Sequence, residues 1–221
     1  MNSIHVIGSG RVGSAISARL TERGVAVGAD EPELVLLCVP DAAIAEVAAS
    51  LKPGPWVAHV SGATPLAALA PHVRRFSVHP LQTFTLGRGP EQLEGAWAAV
   101  TAESEEALAA GRGLAETLGL RPFELADSAR TLYHAGAVFA SNYIVTLQRA
   151  ASLLFESAGA PPAALEPLMR RTIENGFELT GPISRGDWTT VDAHRAAIHE
   201  HRAELDDLYE TLAGATLELA T

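Results

Sequence analysis

A glycine-rich turn near the start of the chain constrains the fold more than any other sequence feature. The apolar run 4–7 leads directly into Gly8-Ser9-Gly10-Arg11-Val12-Gly13, which opens an amphipathic stretch over 11–23. A GxGxxG motif between a strand and a helix is typical of dinucleotide-binding folds. Its glycines allow a tight turn, a close approach to a pyrophosphate and close packing of the helix on the strand. The alternative is a glycine-rich turn that binds no ligand.

The first half of the chain alternates between short apolar runs and amphipathic stretches. Strands are predicted at 4–7, 25–27, 34–39, 56–60, 75–78, 97–101 and 121–125, and helices at 11–23, 41–51 and 104–118. The strands are nearly continuous apolar runs, as expected for parallel strands that are buried on both faces. The alternation predicts an α/β fold, a Rossmann-like doubly wound parallel sheet.

The second half of the chain is predicted to be entirely helical. One long helix is expected over 128–158, another from Pro161 to about residue 179, a turn at 180–187 and a charged helical segment over 189–220. We therefore predict a dinucleotide-binding domain over 1–126 and a helical substrate and dimerisation domain over 127–221. An apolar stripe around Leu147, Leu154 and Ala158 is a candidate dimer seam, so we expect a homodimer.

Composition narrows the class of partner. The net charge is -10, whereas binding to nucleic acid requires a basic face. No run approaches about 18 uninterrupted apolar residues, and the N-terminus lacks the features of a signal peptide. A single cysteine, Cys38, excludes an internal disulfide and a cysteine-based metal cluster. We expect a cytoplasmic protein that has no metal site and contacts neither nucleic acid nor membrane.

The segment after the second predicted strand bears on the choice of cofactor. Asp30 and Glu31 lie where an acidic residue would bind the adenosine ribose. No Lys or Arg stands between residues 25 and 40 to meet a 2′-phosphate, so NAD is slightly favoured over NADP. However, only the six residues 28–33 separate the second and third strands. We expect the adenosine side of the pocket to be shortened.

Polar residues also follow the later strands, at the edge where open α/β sheets bind ligands. Ser61 follows the fourth strand and His79 ends the fifth, which places both beside the glycine-rich turn. Ser61 could equally be a turn residue, and His79 could simply close a loop. Asp41 is better explained as the N-cap of the next helix than as a catalytic group. His59 lies within its strand and is interpreted as a packed core histidine.

The helical half carries two further candidate sites. His134, Val138, Ser141 and Asn142 fall on one stripe of an apolar helix that we expect to be buried. The stripe is either a structural hydrogen-bond network or a substrate site in which His134 donates a proton. Arg185, in the later turn, either pairs with Asp187 or binds a substrate carboxylate. His194, His199 and His201 are interpreted as part of a solvated face.

Six motifs occur in order along nearly the whole chain: GSGRVG, CVPD, HVSGA, HPLQTF, YHAGAVFASN and TGPISRGD. Together they resemble uncharacterised Rossmann-type oxidoreductases whose C-terminal helical half is known as domain of unknown function 2520. This group is similar in architecture to 6-phosphogluconate dehydrogenase, β-hydroxyacid dehydrogenases, prephenate dehydrogenase and pyrroline-5-carboxylate reductase. Such proteins bind a nicotinamide cofactor on the N-terminal domain and commonly dimerise through the helices. The resemblance also suggests ketopantoate as a substrate for some members.

The resemblance implies specific roles for residues of this chain. The phosphate loop would consist of Gly8, Gly10, Arg11, Val12 and Gly13, and the nicotinamide ribose would be bordered by Pro40 and Ser61. The substrate would be surrounded by His79, Gln82, His134, Asn142 and Arg185. His134, or less readily His79, would exchange the proton, while Asn142 and Gln82 would polarise the substrate oxygen. The β-hydroxyacid dehydrogenases use a catalytic lysine where this chain has His134.

Three functions are therefore compared. The first is an oxidoreductase that transfers a hydride between a nicotinamide cofactor and a small anionic carbonyl, hydroxy or imino acid. The second is a non-catalytic nucleotide- or ligand-binding protein with a degenerate cofactor site, suggested by the short segment 28–33. The third, a purely structural dimerisation protein, leaves the glycine-rich turn unexplained. An enzyme requires its polar side chains to converge at the sheet edge, whereas a sensor does not.

Overall fold

The computed structural model describes residues 1–220, which form two compact units. The first unit comprises Met1–Phe139 and the second begins at Ala140. The first contains a seven-stranded sheet with helices on both faces, and the second is helical. In the described residues, no helix is both long and apolar enough to span a membrane.

The sheet of the first unit has the order β2-β1-β3-β4-β5-β6-β7. Its strands are β1 (Ser3–Ile7), β2 (Ala26–Val27), β3 (Leu34–Leu37), β4 (Trp56–His59), β5 (Arg75–Pro80), β6 (Trp97–Ala102) and β7 (Arg121–Glu124). All neighbours pair in parallel except β5 and β6, which are antiparallel. The expected all-parallel sheet is therefore wrong at this one pairing. The connection between these strands contains only a short 3-10 turn, Pro90–Leu93, whereas a parallel pair needs a crossover that covers one face.

Three helices cover the two faces of the sheet: α1 (Arg11–Glu22), α2 (Ile44–Ser50) and α3 (Glu105–Thr117). Side chains alternate between the two faces along β3, since successive strand residues point to opposite sides. Leu34 and Leu36 join the larger core with α1 and α3, while Val35 and Leu37 pack with α2 in the smaller core. This arrangement confirms the Rossmann-like doubly wound fold.

The predicted long helix over 128–158 is wrong, because it is divided at Ser141. Helix α4 (Arg130–Ala140) belongs almost entirely to the first unit, and α5 (Asn142–Ser157) opens the second. Ser and Asn side chains compete for backbone and local hydrogen bonds and so favour helix ends. Here the Ser141 hydroxyl donates to Oδ1 of Asn142 at 3.0 Å, and the Ser141 backbone leaves the helical region with φ -127° and ψ -72°.

The second unit continues with α6 (Leu165–Glu174), α7 (Trp188–Arg202) and α8 (Asp206–Leu219). Helix α6 ends five residues before the predicted position. Gly176 and Phe177 take positive φ values of 69° and 61°, the left-handed conformation that commonly ends a helix. A 3-10 turn, Ala203–Leu205, separates α7 from α8, so the predicted segment 189–220 forms two helices.

Candidate functional site

The glycine-rich turn between β1 and α1 has the geometry of a phosphate loop. Gly8 has a positive φ of 114°, and a Cβ on it would overlap the carbonyl group of Cys38. A Cβ on Gly13 would overlap the carbonyl oxygen of Gly8. By contrast, apart from Gly10 itself and its two chain neighbours, no atom of the described residues lies within 4 Å of a Cβ built on Gly10. The fold therefore requires Gly8 and Gly13, while Gly10 leaves open space of the kind a pyrophosphate needs.

The N-terminus of α1 is suited to an anion. Gly10 occupies the N-cap and offers no side chain to the backbone N–H groups of the first turn. The first turn of α1 contains no acidic residue to offset the positive end of the helix dipole. Arg11, the first residue of α1, adds an exposed guanidinium at the same place. These features fit a bound pyrophosphate.

The adenosine side of the loop is short, as the sequence indicates. Strand β2 has only two residues, both exposed, and residues 28–33 form bends with no helix before β3 begins. Asp30 is exposed within this segment, beyond the carboxyl end of β2. An acidic group is therefore present where a ribose hydroxyl would be bound, but few residues surround it.

Asp41 and Ser61 form a hydrogen-bonded pair at the carboxyl ends of β3 and β4. The Ser61 hydroxyl, 7% exposed as a residue, donates to Oδ2 of Asp41 at 2.7 Å. Ser61 Oγ also accepts from the backbone N–H of Ala63 and of Thr64, at 3.2 and 3.0 Å. The predicted N-cap role of Asp41 is wrong. A 3-10 turn, Asp41–Ala43, begins there after Pro40, no side chain caps that turn, and α2 starts only at Ile44.

His59 is a core histidine, which confirms its interpretation from the sequence. Its side chain is fully buried, and its Nδ1 accepts a hydrogen bond from the backbone N–H of Ser61 at 3.2 Å. Its Nε2 has no hydrogen-bond partner in the described residues. Burial, aided by the charges of Arg130 and His79, lowers the pKa of His59 to about 3. The imidazole is therefore neutral at physiological pH.

His79 contacts two side chains of helix α4. Its Nδ1 lies 2.7 Å from the hydroxyl of Tyr133, and its ring centroid lies 6.2 Å from that of His134 in an edge-on arrangement. Burial lowers the pKa of His79 to about 4, and the neighbouring His134 and Arg130 act in the same direction while Asp41 opposes them. Burial raises the pKa of Tyr133 to about 12. Both partners of the His79–Tyr133 pair are uncharged at neutral pH.

The two histidines meet beside Gly62, the residue after Ser61. A Cβ on Gly62 would lie 2.7 Å from Cδ2 of His134 and 2.9 Å from Cε1 and Nε2 of His79. The absence of a side chain at Gly62 thus makes room for both rings at the edge of the sheet. The HVSGA motif contributes this space as well as the Ser61 hydroxyl.

Arg130, at the start of α4, is a site residue that sequence reasoning missed. It is 2% exposed, and its guanidinium donates to Ser77 Oγ at 2.6 Å, to Thr101 Oγ1 at 2.9 Å and to the carbonyl oxygen of Ser61. Its Nε lies 3.9 Å from Asp127, and burial lowers its pKa. Arg130 thereby ties α4 to β5, to β6 and to the end of β4. The sequence did contain a signal for this role. Arg130 precedes Tyr133 by three residues and His134 by four, so the three share one helix face.

The remaining predicted site residues lie elsewhere. Gln82 is exposed and directs its amide to its own loop, donating to the carbonyl oxygen of Gln92 at 3.1 Å and accepting from the backbone N–H of Thr83 at 2.8 Å. Asn142 and Arg185 belong to the second unit. The expected single stripe with His134 is wrong, because Asn142 begins a different helix. The expected burial of the helix is also wrong, since Arg130 is the only buried residue of α4, while His134 and Val138 are half-buried.

Arg185 closes a short 3-10 turn, Ile183–Arg185, in the second unit. Asp187 does not form an ion pair with it. Instead, Asp187 is the N-cap of α7 and accepts from the backbone N–H and the hydroxyl of Thr190, at 3.2 and 2.7 Å. Among residues 1–220 the Arg185 guanidinium makes no hydrogen bond or ion pair.

The histidines of α7 make contacts with α8. Nδ1 of His194 lies 3.0 Å from the hydroxyl of Tyr209, and Nδ1 of His199 lies 2.7 Å from Oδ2 of Asp206, both in exposed positions. Within the part of the chain that the structure describes, no group of three or more His, Cys, Asp and Glu side chains is arranged to hold a metal ion.

The architecture defines a class of protein: a Rossmann-like sheet domain followed by a helical C-terminal part. A family profile then identifies the particular family. Residues 96–216 match the domain of unknown function DUF2520, and the chain belongs to that family. No curated protein sequence matches the chain.

Solved structures share this fold along nearly the full chain. A candidate NADP oxidoreductase from Bacteroides fragilis is 22% identical, with a TM-score of 0.82 and 98% of each chain covered. A protein from Thermotoga maritima is 24% identical, with a TM-score of 0.79 and the same coverage. A 1-pyrroline-5-carboxylate reductase from Streptococcus pyogenes is 18% identical, with a TM-score of 0.62. The alignment covers 99% of this chain and 97% of the reductase. At these identities the similarity establishes the fold.

Proposed function

We propose that the protein is an NAD(P)-dependent oxidoreductase that acts on a small anionic carbonyl, hydroxy or imino acid. The observation that carries the proposal is the phosphate loop, in which Gly10 faces open space while Gly8 and Gly13 are required by the fold. The polar cluster of Ser61, His79 and His134 supports it, because the cluster lies at the same sheet edge as the loop. A 1-pyrroline-5-carboxylate reductase among the solved structures of the same fold is consistent with this reaction class.

Residues of the first unit would hold the cofactor. Backbone N–H groups of Gly10, Arg11, Val12 and Gly13 would bind the pyrophosphate, and Asp30 a ribose hydroxyl. Pro40 and Ser61 would border the nicotinamide ribose. When bound, the nicotinamide supplies or accepts the hydride. The acidic segment at Asp30, free of Lys and Arg, favours NAD over NADP.

Several predicted side chains would act on the substrate. His134 would act as a general acid that gives the proton to the substrate oxygen or nitrogen, or as a general base that takes it in the reverse direction. His79 is neutral and would serve mainly as a hydrogen-bonding group. Asn142 and Gln82 would polarise the substrate, and Arg185 would bind its carboxylate bidentately. Ketopantoate, which carries both a carbonyl group and a carboxylate, is one candidate substrate. We also propose that the protein is related to the 6-phosphogluconate dehydrogenase-like group.

We further propose a homodimer formed through the helices of the second unit, in the cytoplasm. Ile144 and Leu147 of the predicted seam region, three residues apart on α5, are 38% and 40% exposed. Exposed large apolar side chains on one helix face are commonly covered by a partner. Light scattering after size-exclusion chromatography tests this assembly, and a monomer at micromolar concentration would contradict it.

The short segment 28–33 favours a second candidate, a nucleotide- or ligand-binding protein without turnover. The two functions differ in hydride transfer. Purified protein is incubated with NADH or NADPH and a panel of small keto and imino acids, and the absorbance of the reduced nicotinamide is followed. An oxidoreductase consumes it with at least one substrate, and His134→Ala lowers turnover at least 100-fold while cofactor affinity is retained. The control is His201→Ala, on an exposed helix face. Full activity of His134→Ala would refute its role, and tight cofactor binding without turnover would favour the second candidate.

A further inference from the structure

The contact between Tyr133 and His79 has no part in the function proposed above. Tyr133 Oη lies 2.7 Å from Nδ1 of His79, so a hydrogen bond joins these two atoms. We propose that Tyr133 is a positioning residue that fixes the neutral His79 ring in the tautomer with its proton on Nε2. In this tautomer the Nε2–H group of His79 can donate a hydrogen bond to the reacting oxygen or nitrogen of the substrate. This role of Tyr133 rests on the proposed function.

The buried cation Arg130 determines which of the two groups donates this hydrogen bond. A neutral imidazole has one N–H donor and one acceptor nitrogen, whereas a tyrosine hydroxyl can play either part. Arg130 is three residues before Tyr133 on α4, and its charge acts on the Tyr133 hydroxyl. A hydroxyl near a cation turns its oxygen lone pairs toward the charge and its hydrogen away from it. Tyr133 therefore donates to Nδ1, which leaves the ring proton of His79 on Nε2.

The same arginine places the Tyr133 hydroxyl. Its hydrogen bonds reach Ser77 in β5, Thr101 in β6 and the carbonyl oxygen of Ser61 after β4. These contacts fix the first turn of α4 against the strand that carries His79. Residues three apart on a helix share a face, so the Arg130 contacts also define where Tyr133 stands.

Nε2 of His79 lies beside Gly62, where a Cβ would come within 2.9 Å of it. Gly62 belongs to the loop after β4. Strands β1, β3, β4 and β5 are parallel, so this loop and the glycine-rich turn lie at the same edge of the sheet. The N–H donor is therefore on the edge at which the proposed cofactor and substrate would meet.

A neutral donor at this position suits a carbonyl or imine substrate. A bound reduced nicotinamide would supply the hydride to the carbonyl carbon and would itself be oxidised, and the π electron pair of the C=O bond would move onto oxygen. A hydrogen bond from Nε2–H stabilises that oxygen without transferring a proton. The proton that completes the hydroxyl group comes from His134. His79 and His134 would thus divide two tasks, charge stabilisation and proton transfer.

The tautomer is measurable in the cofactor-free full-length protein by ¹⁵N NMR of the histidine rings. His79→Gln identifies the His79 signals by their loss. We expect Nδ1 of wild-type His79 to resonate as an unprotonated nitrogen and Nε2 as a protonated one at pH 7. Tyr133→Phe, which removes only the hydroxyl, should produce a mixture of tautomers. Tyr209→Phe is the matched control, because Tyr209 makes the same type of contact with His194 in an exposed setting.

The wild-type spectrum is decisive even if Tyr133→Phe does not fold, because a proton on Nδ1 of His79 overturns the proposal directly. An unchanged His79 tautomer in folded Tyr133→Phe overturns it as well. Failure of the proposed function has a different signature, namely absence of NADH and NADPH binding with the Nε2–H tautomer intact. In an active enzyme, Tyr133→Phe should lower kcat at least 10-fold while KM for the cofactor changes little, and an unchanged kcat would contradict the proposed role.

Discussion

A Cβ on Gly62 would lie 2.7 Å from Cδ2 of His134, a separation that real Cβ atoms do not show. The ring of His134 therefore occupies space next to residue 62 that a side chain there would fill. The φ angle of Gly62 is not in the left-handed region, so the constraint is space and not backbone conformation.

Gly62→Ala should displace the rings of His79 and His134 together. Overpacking of this kind costs roughly 1–3 kcal/mol of unfolding free energy. Urea denaturation measures the loss, and the ring signals of both histidines should shift. The control is Gly136→Ala on α4, the helix that also carries His134. The new methyl group at Gly136 meets open space. Alanine there should stabilise the helix by roughly 0.5–1 kcal/mol. A Gly62→Ala protein as stable as wild type, with unmoved histidine signals, would disprove the crowding.

Arg130→Met should be strongly destabilising. The substitution keeps most of the side-chain volume but leaves the Ser77 and Thr101 hydroxyls and the Ser61 carbonyl without their buried donor. Unpaired buried polar groups cost roughly 1–3 kcal/mol each, partly recovered by relaxation, so we expect a loss of roughly 2–4 kcal/mol. Arg170→Met is the control, because Arg170 pairs with Glu166 on an exposed helix face and should matter by at most about 0.5 kcal/mol. Equal effects of the two variants in urea denaturation would contradict the assigned role of Arg130.

Stability should fall on mild acidification because of His59 and His79. Their pKa values in the folded protein, about 3 and about 4, lie below the unfolded value of 6.5. Between pH 6.5 and 4 the unfolded chain therefore binds more protons, and the free energy of unfolding decreases as the pH falls. From pH 7.5 to 5 we expect a loss of roughly 1–2 kcal/mol per histidine.

Urea denaturation at pH 7.5, 6.5, 5.5 and 5 measures this dependence. In His59→Gln the free energy of unfolding should depend on pH about half as steeply, because only His79 remains to cause the dependence. The variant should still fold, since the glutamine oxygen can replace Nδ1 as acceptor for the Ser61 N–H. His201→Gln, on an exposed face, should retain the full slope. If His59→Gln and wild type changed in parallel over this pH range, His59 would not be the buried neutral group described above.

The sequence predicts the fold better than it predicts the site, for physical reasons. Strand and helix positions follow from local patterns. Burial of one face makes apolar residues recur at regular spacing, and this spacing is visible in a short segment of sequence. The antiparallel pairing of β5 and β6 is not visible in this way, since a buried strand has the same apolar composition in either direction. The break at Ser141 was also missed, because the apolar pattern continues through it.

The site depends on contacts between residues distant in sequence. Tyr133 is 54 residues from His79, and Arg130 is 53 residues from Ser77. No local pattern indicates such pairs. Asp41 shows the same effect, because its position before a helix favours capping, while the folded chain directs its carboxylate to Ser61 instead. The tight geometry of the glycine-rich turn could be predicted because all of its parts lie within six consecutive residues.

The central claim is that the turn between β1 and α1 binds a nicotinamide dinucleotide, and calorimetric titration with NADH and NADPH tests it most directly. The matched variants are Gly10→Val and Gly113→Ala, both at positions where a Cβ meets open space in the described chain. The account predicts binding of at least one dinucleotide by wild type and by Gly113→Ala. It also predicts at least a 100-fold weaker affinity for Gly10→Val, whose unfolding midpoint stays near that of wild type. No binding by the wild-type protein at millimolar ligand, or equal binding by all three proteins, would contradict it.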